Sequence, residues 1–221
     1  MLFWIGIVPA LGWQLLLATG YLIITPDQYS QLAYGLAKLL LVLWPLIWWR
    51  SLQRSSCQLI PNRIASVWGG LVLSVTILVV VGSAAWFLQD TLMTMKSALQ
   101  LQVTSFGLTK SSYIWFALGL ASIHAAFEEW YWRGFVFRGL RLKLSWPWAA
   151  LVGSLAFSAH HALVLSQFAP WWLTVIGTVS VAVTGFVWCY LYQRTNSLFG
   201  NWLSHFLADI AVMSVGYWLI F

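Results

Sequence analysis

Three short stretches hold the side chains of this sequence that are suited to hydrolytic chemistry. They are Glu128-Glu129-Trp130-Tyr131-Trp132-Arg133, Phe157-Ser158-Ala159-His160-His161 and His205-Phe206-Leu207-Ala208-Asp209. Carboxylates and imidazoles exchange protons with water near neutrality, so such a set is equipped to activate water and protonate a leaving group. On a helix the spacing of four makes Glu129 face Arg133, which assigns that pair a positioning role, and it puts His205 and Asp209 on one face. Glu128 is turned by about 100° from Glu129 and is left for chemistry. Only one of the adjacent His160 and His161 can point at the same spot. His124, one turn before Glu128, is placed either to support it or to pack.

The elements that must position these residues are membrane spans. The sequence is 61% hydrophobic and 7% charged, whereas a soluble domain is about 25% charged. Apolar runs near 2–25, 31–49, 64–89, 113–137, 147–166, 171–192 and 198–221 predict an all-α polytopic bundle of about seven spans, with six to eight as the bounds, in a single domain over 1–221. Residues 2–25 lack the basic start and short core of a signal peptide and read as a retained span. The seven basic residues Arg50, Arg54, Arg63, Arg138, Arg141, Lys143 and Arg194 fall on one side of an alternating bundle, against Lys96 and Lys110 on the other. That bias predicts a cytoplasmic amino terminus and an outer carboxyl terminus. Because these charges punctuate apolar runs and line no polar face, the net charge of +6 is a topology signal and no nucleic-acid partner is expected. Residues 91–112 read as an interfacial helix or loop, and Trp pairs mark the span ends. Cys57 and Cys189 are not expected to pair, and Lys38 inside the second span is assigned no role beyond snorkelling or pairing.

Three of the five carboxylates, Glu128, Glu129 and Asp209, fall within predicted spans. An ionisable group at mid-membrane costs at least about 2–3 kcal/mol, so its placement points to function. Counted at about 1.5 Å per residue from the cytoplasmic ends, Glu128 and His205 lie roughly 10–15 Å deep and His161 near 20 Å, a mismatch of several ångströms.

Taken in order on separate helices, the three stretches resemble the motifs of the CAAX protease and bacteriocin-processing family of intramembrane peptidases, which includes the type II CAAX prenyl endopeptidases. Glu128-Glu129-x-x-x-Arg133, Phe157-x-x-x-His161 and His205-x-x-x-Asp209 carry the resemblance, with Arg194-Thr195-Asn196-Ser197-Leu198 before the last. It covers roughly 113–215. The resemblance implies that Glu128 and His161 activate a water, with His160 as a neighbour, and that His205 donates to the oxyanion. Asp209 stands where the family usually has Asn. An ionised Asp only accepts hydrogen bonds, so it donates to an oxyanion only when protonated, and otherwise orients His205 or binds a metal. The preferred expectation is a mechanism without a cofactor. Zinc held by Glu128, His161, His205 and Asp209 is the alternative, since these are acceptable N and O ligands, although no HExxH helix is present. The expected partners are the bilayer and a membrane-associated peptide or protein, of CAAX type or a peptide precursor. A non-catalytic scaffold or immunity-type protein, and a transporter using the buried carboxylates, are the rival classes.

Overall fold

The computed structural model describes residues 2–24, 27–53 and 61–221, and every regular element among them is helical. In chain order these are α1 (Leu2–Thr19, continued by π-helical Gly20–Ile24), α2 (Asp27–Gln53), α3 (Arg63–Phe87), α4 (Gln89–Thr94) and α5 (Lys96–Ser105). One long helical segment then combines α6 (Lys110–Gly119), α7 (Ala125–Glu129) and α8 (Arg138–Leu140) with π-helical stretches at Leu120–His124 and Trp130–Phe137. The chain ends with α9 (Trp146–Ser166), α10 (Trp171–Thr195) and α11 (Phe199–Ile220).

Local chemistry sets the boundaries. Asn62 caps α3 by accepting from Ala65 N at 3.0 Å, and Thr109 with Ser112 forms a capping box at α6. Pro147 lies in the first turn of α9 and Pro170 caps α10, where a missing N–H is harmless. Asn196 ends α10 in the left-handed conformation at φ 48°, its N–H donating to Tyr192 O at 2.7 Å. Part of the family-like stretch Arg194–Leu198 is therefore a helix stop.

Five helices, Trp4–Ile24, Arg63–Phe87, Trp146–Ser166, Trp171–Thr195 and Phe199–Ile220, are long and apolar enough to cross a membrane, and Gly35–Trp48 is a shorter apolar stretch. Val72, Val75 and Val79 on α3, and Val175, Val179 and Val183 on α10, are exposed, while Glu128, Glu129 and Arg133 are each 1% exposed. Lipid in place of water explains that inversion. The connection expected as an interfacial helix or loop is largely the two helices α4 and α5, separated from α6 by a turn in which Gly107 takes φ 68°. Cys189 is a buried free thiol. Cys57 and Arg54, and the side chain of Arg50, lie outside the described residues.

The chain forms two compact units, Met1–Pro61 with Phe127–Asn196, and Asn62–Ala126 with Ser197–Phe221. In the first, α9 packs along α10, and α1 packs against α2 and α9. Trp44 of α2 donates its indole N–H to Gly6 O of α1 at 2.9 Å and stacks on Trp13. Tyr131 donates to Ala10 O at 2.7 Å, fastening the helix that bears Glu128 to α1.

In the second unit, α3 and α11 meet through small residues. Ser66 Oγ donates to Ser197 O and accepts from Gly200 N at 2.9 Å, and Gly70 lies against the Gly200 backbone. Small residues allow this approach between membrane helices, where lipid contributes no hydrophobic drive. A Cβ on Gly200 would run into the Ser66 carbonyl. Gly200→Ala is therefore expected to lower stability by about 1–3 kcal/mol, the range for overpacking. Gly82→Ala, on the same α3 with nothing near its added methyl, serves as the control. Thermal midpoints in detergent check the contrast.

Candidate active site

The helix carrying Glu128 and Glu129 departs from regular α geometry. A π-helical stretch begins directly after Glu129, and Tyr131, Trp132, Arg133, Gly134, Phe135, Val136 and Phe137 are all buried in it. Wide turns of this kind are frequent at functional sites because they re-aim side chains relative to a uniform helix.

Arg133 occupies the centre of the first unit. Its Nη1 donates to Glu129 Oε1 at 2.9 Å and its Nη2 to Gly185 O at 3.4 Å. The guanidinium carbon lies 4.7 Å from the centre of the Phe157 ring and 4.8 Å from that of Trp188. A planar, delocalised cation suits this slot between two aromatic faces better than an ammonium does. Glu129 and Arg133 thus meet as their spacing predicts and lock the helix to α9 and α10.

Glu128 turns to the histidines of α9. His160 Nε2 lies 3.5 Å from Glu128 Oε1, with both side chains buried. The His160 ring is parallel to the Trp132 indole within 2°, at 6.4 Å between centres, and 4.0 Å from the His161 ring. His161, half-buried, donates from Nδ1 to Phe157 O at 3.0 Å. A carbonyl only accepts, so the Nδ1 of His161 bears its proton, and in the neutral ring Nε2 carries the lone pair. One ligand atom from each of Glu128, His160 and His161 lies within 4.8 Å of the others. The depth mismatch counted along uniform helices does not separate Glu128 from His161. His160, expected as a neighbour, approaches Glu128 to 3.5 Å, and His161, to which the motif pointed, belongs to the same cluster.

In the second unit His205 is buried, and its Nε2 lies 3.7 Å from Asp209 Oδ1, so the pair shares one face of α11. Trp202, on the preceding turn, donates to Ser122 O at 2.9 Å within the π-helical stretch Leu120–His124. His124 ends that stretch and is half-buried.

One carboxylate and two imidazoles make a donor set that matches catalytic zinc in number and type. The same set also suits a glutamate that takes a proton from water beside a histidine that accepts a second hydrogen bond. Gln14, the lone amide in the apolar α1, and Lys38 are two polar neighbours of this site that carried no role in the sequence. The rule that singled out Glu128, an ionisable residue inside a span, applies equally to Lys38, whereas the uncharged Gln14 falls outside it.

Residues 110–211 match the family described as Type II CAAX prenyl endopeptidase Rce1-like. This segment, just under half of the chain, is similar to the CAAX protease family. It contains Glu128, Glu129, Arg133, His160, His161, His205 and Asp209. No curated protein and no solved structure matches the chain. With its lipid-facing apolar helices, the chain is an integral membrane protein that carries a CAAX-protease-like segment.

Proposed function

We propose that the protein is an intramembrane endopeptidase that hydrolyses a peptide bond of a membrane-associated substrate, a CAAX-type tail or a peptide precursor, with water activated by Glu128 and His161. The observation that carries this reading is the meeting of a buried carboxylate with two imidazoles inside an apolar helical unit. Glu128 takes a proton from the water while His161 Nε2 accepts its other hydrogen bond. The water oxygen bonds to the carbonyl carbon, and Glu128 returns the proton to the amide nitrogen as the C–N bond breaks. His205 takes the oxyanion-donor part that the family resemblance implies, with Asp209 Oδ1 3.7 Å from its Nε2 to orient it. Glu129 and Arg133 position the helix. The amino terminus is assigned to the cytoplasm from the distribution of Lys and Arg.

If a zinc ion bound, Glu128, His160 and His161 would hold it, and it would lower the pKa of a bound water. Purified protein in vesicles, with a membrane-anchored peptide as substrate, tests both points. The peptide is expected to be cleaved with no stoichiometric metal in the protein, and His161→Gln is expected to slow cleavage about 100-fold or more. Wild-type rates in a folded His161→Gln protein would remove the reading. One bound zinc per chain, lost together with activity, would replace the cofactor-free mechanism.

A further inference from the structure

His160 touches a second polar feature besides Glu128. A cavity of about 10 Å³, room for one water, is lined by Gln14 and Leu17 of α1, Ala37, Lys38 and Leu41 of α2, and His160. Gln14 and His160 are each 7% exposed. The Nε2 of Gln14 and the Nδ1 of His160 have no hydrogen-bond partner among the described residues. Buried polar atoms without partners are costly, and a cavity of this size between them is where an ordered water restores the lost bonds.

The donor inventory determines how that water is oriented. The Lys38 ammonium only donates and the Gln14 NH2 group also donates, so a water facing both accepts from them and has its own hydrogens to give. Of the two unpartnered buried atoms in the lining residues, Gln14 Nε2 and His160 Nδ1, the imidazole nitrogen is the one able to accept. We propose that the cavity is a water site through which Lys38 and Gln14 fix the proton of His160 on Nε2, where it faces the Glu128 carboxylate 3.5 Å away. This deepens the peptidase reading, on which the role of Glu128 rests.

The two adjacent histidines are then held in opposite tautomers. His161 has its proton on Nδ1, bonded to Phe157 O, and its lone pair on Nε2. In the proposed arrangement His160 has the reverse, with the proton on the Nε2 that lies 3.5 Å from Glu128 Oε1. His160 is therefore a positioning residue for Glu128. Both Gln14 and Lys38 lie outside residues 110–211, so the helices before the family domain contribute to its site.

The test is solid-state NMR of the full chain in bilayers with 15N-labelled histidine, the His160 signals being assigned by their loss in His160→Gln. The wild-type protein is expected to show His160 unprotonated at Nδ1 and protonated at Nε2. In the Gln14→Leu/Lys38→Met double variant the Nδ1 signal is expected to move, with kcat falling about tenfold at unchanged KM, as for loss of outer partners of a site histidine. Lys38→Arg, which keeps the donor charge, is expected to retain most of kcat. A protonated Nδ1 in the wild type overturns the proposal without any variant having to fold, and so does an Nδ1 signal unmoved in the double variant. The expected tautomer in a protein that cleaves no peptide would uphold the water site and remove the peptidase reading, which separates the two failures.

Discussion

Glu128→Gln is expected to lower the rate of peptide cleavage by about 100- to 10,000-fold, the usual contribution of a positioned general base, while leaving the protein folded. The carboxamide has the size of the carboxylate, so packing around the 3.5 Å approach of His160 Nε2 is retained. It cannot take a proton from water. A structural role for Glu128 predicts the opposite pattern, a lower melting temperature and no specific loss of rate. Cleavage assays in vesicles beside thermal melts in detergent decide between them, and a rate within tenfold of wild type would exclude Glu128 as the base.

Arg133→Met is expected to produce the largest loss of stability. It leaves the carboxylate of Glu129, 1% exposed, beside a thioether, and breaking a buried ion pair from one side costs about 3–5 kcal/mol. It also removes a cation from between Phe157 and Trp188, worth about 0.5–2 kcal/mol per ring. Adding Glu129→Gln removes the stranded charge, so the double variant is expected to melt above Arg133→Met and below wild type. The double-variant comparison in detergent isolates the charge contribution. A double variant no more stable than Arg133→Met would show that the aromatic slot, rather than the ion pair, is what Arg133 holds together.

These two neighbours on one helix, Glu128 and Glu129, illustrate how far spacing alone reaches. A separation of four residues is enough to pair Glu129 with Arg133 and His205 with Asp209, because on any helix such residues are adjacent. The spans were equally legible. Apolar length, with Asn62, Pro147, Pro170 and Asn196 as punctuation, placed α3, α9, α10 and α11 within a few residues of their observed ends. In a bilayer the backbone must satisfy its own hydrogen bonds, so a long apolar run has little choice but to be a helix.

The π-helical stretches were not legible, since a uniform period of 3.6 residues assigns no position to a wider turn. Nor was the part of Gln14 and Lys38, which stand far from Glu128 in sequence and reach its site through helix packing in the first unit. The sequence by itself determined an all-helical membrane protein, its hydrolytic residue types, and the pairs formed within single helices, because hydropathy and helical periodicity are local properties. Tertiary structure alone decided that His160 faces Glu128, that His161 turns its Nδ1 to Phe157, and that a water-sized cavity links His160 to the first two helices. Those are contacts between helices, set by how α1, α2 and α9 pack around the aromatic run Trp130–Phe137, and no spacing along the chain encodes them.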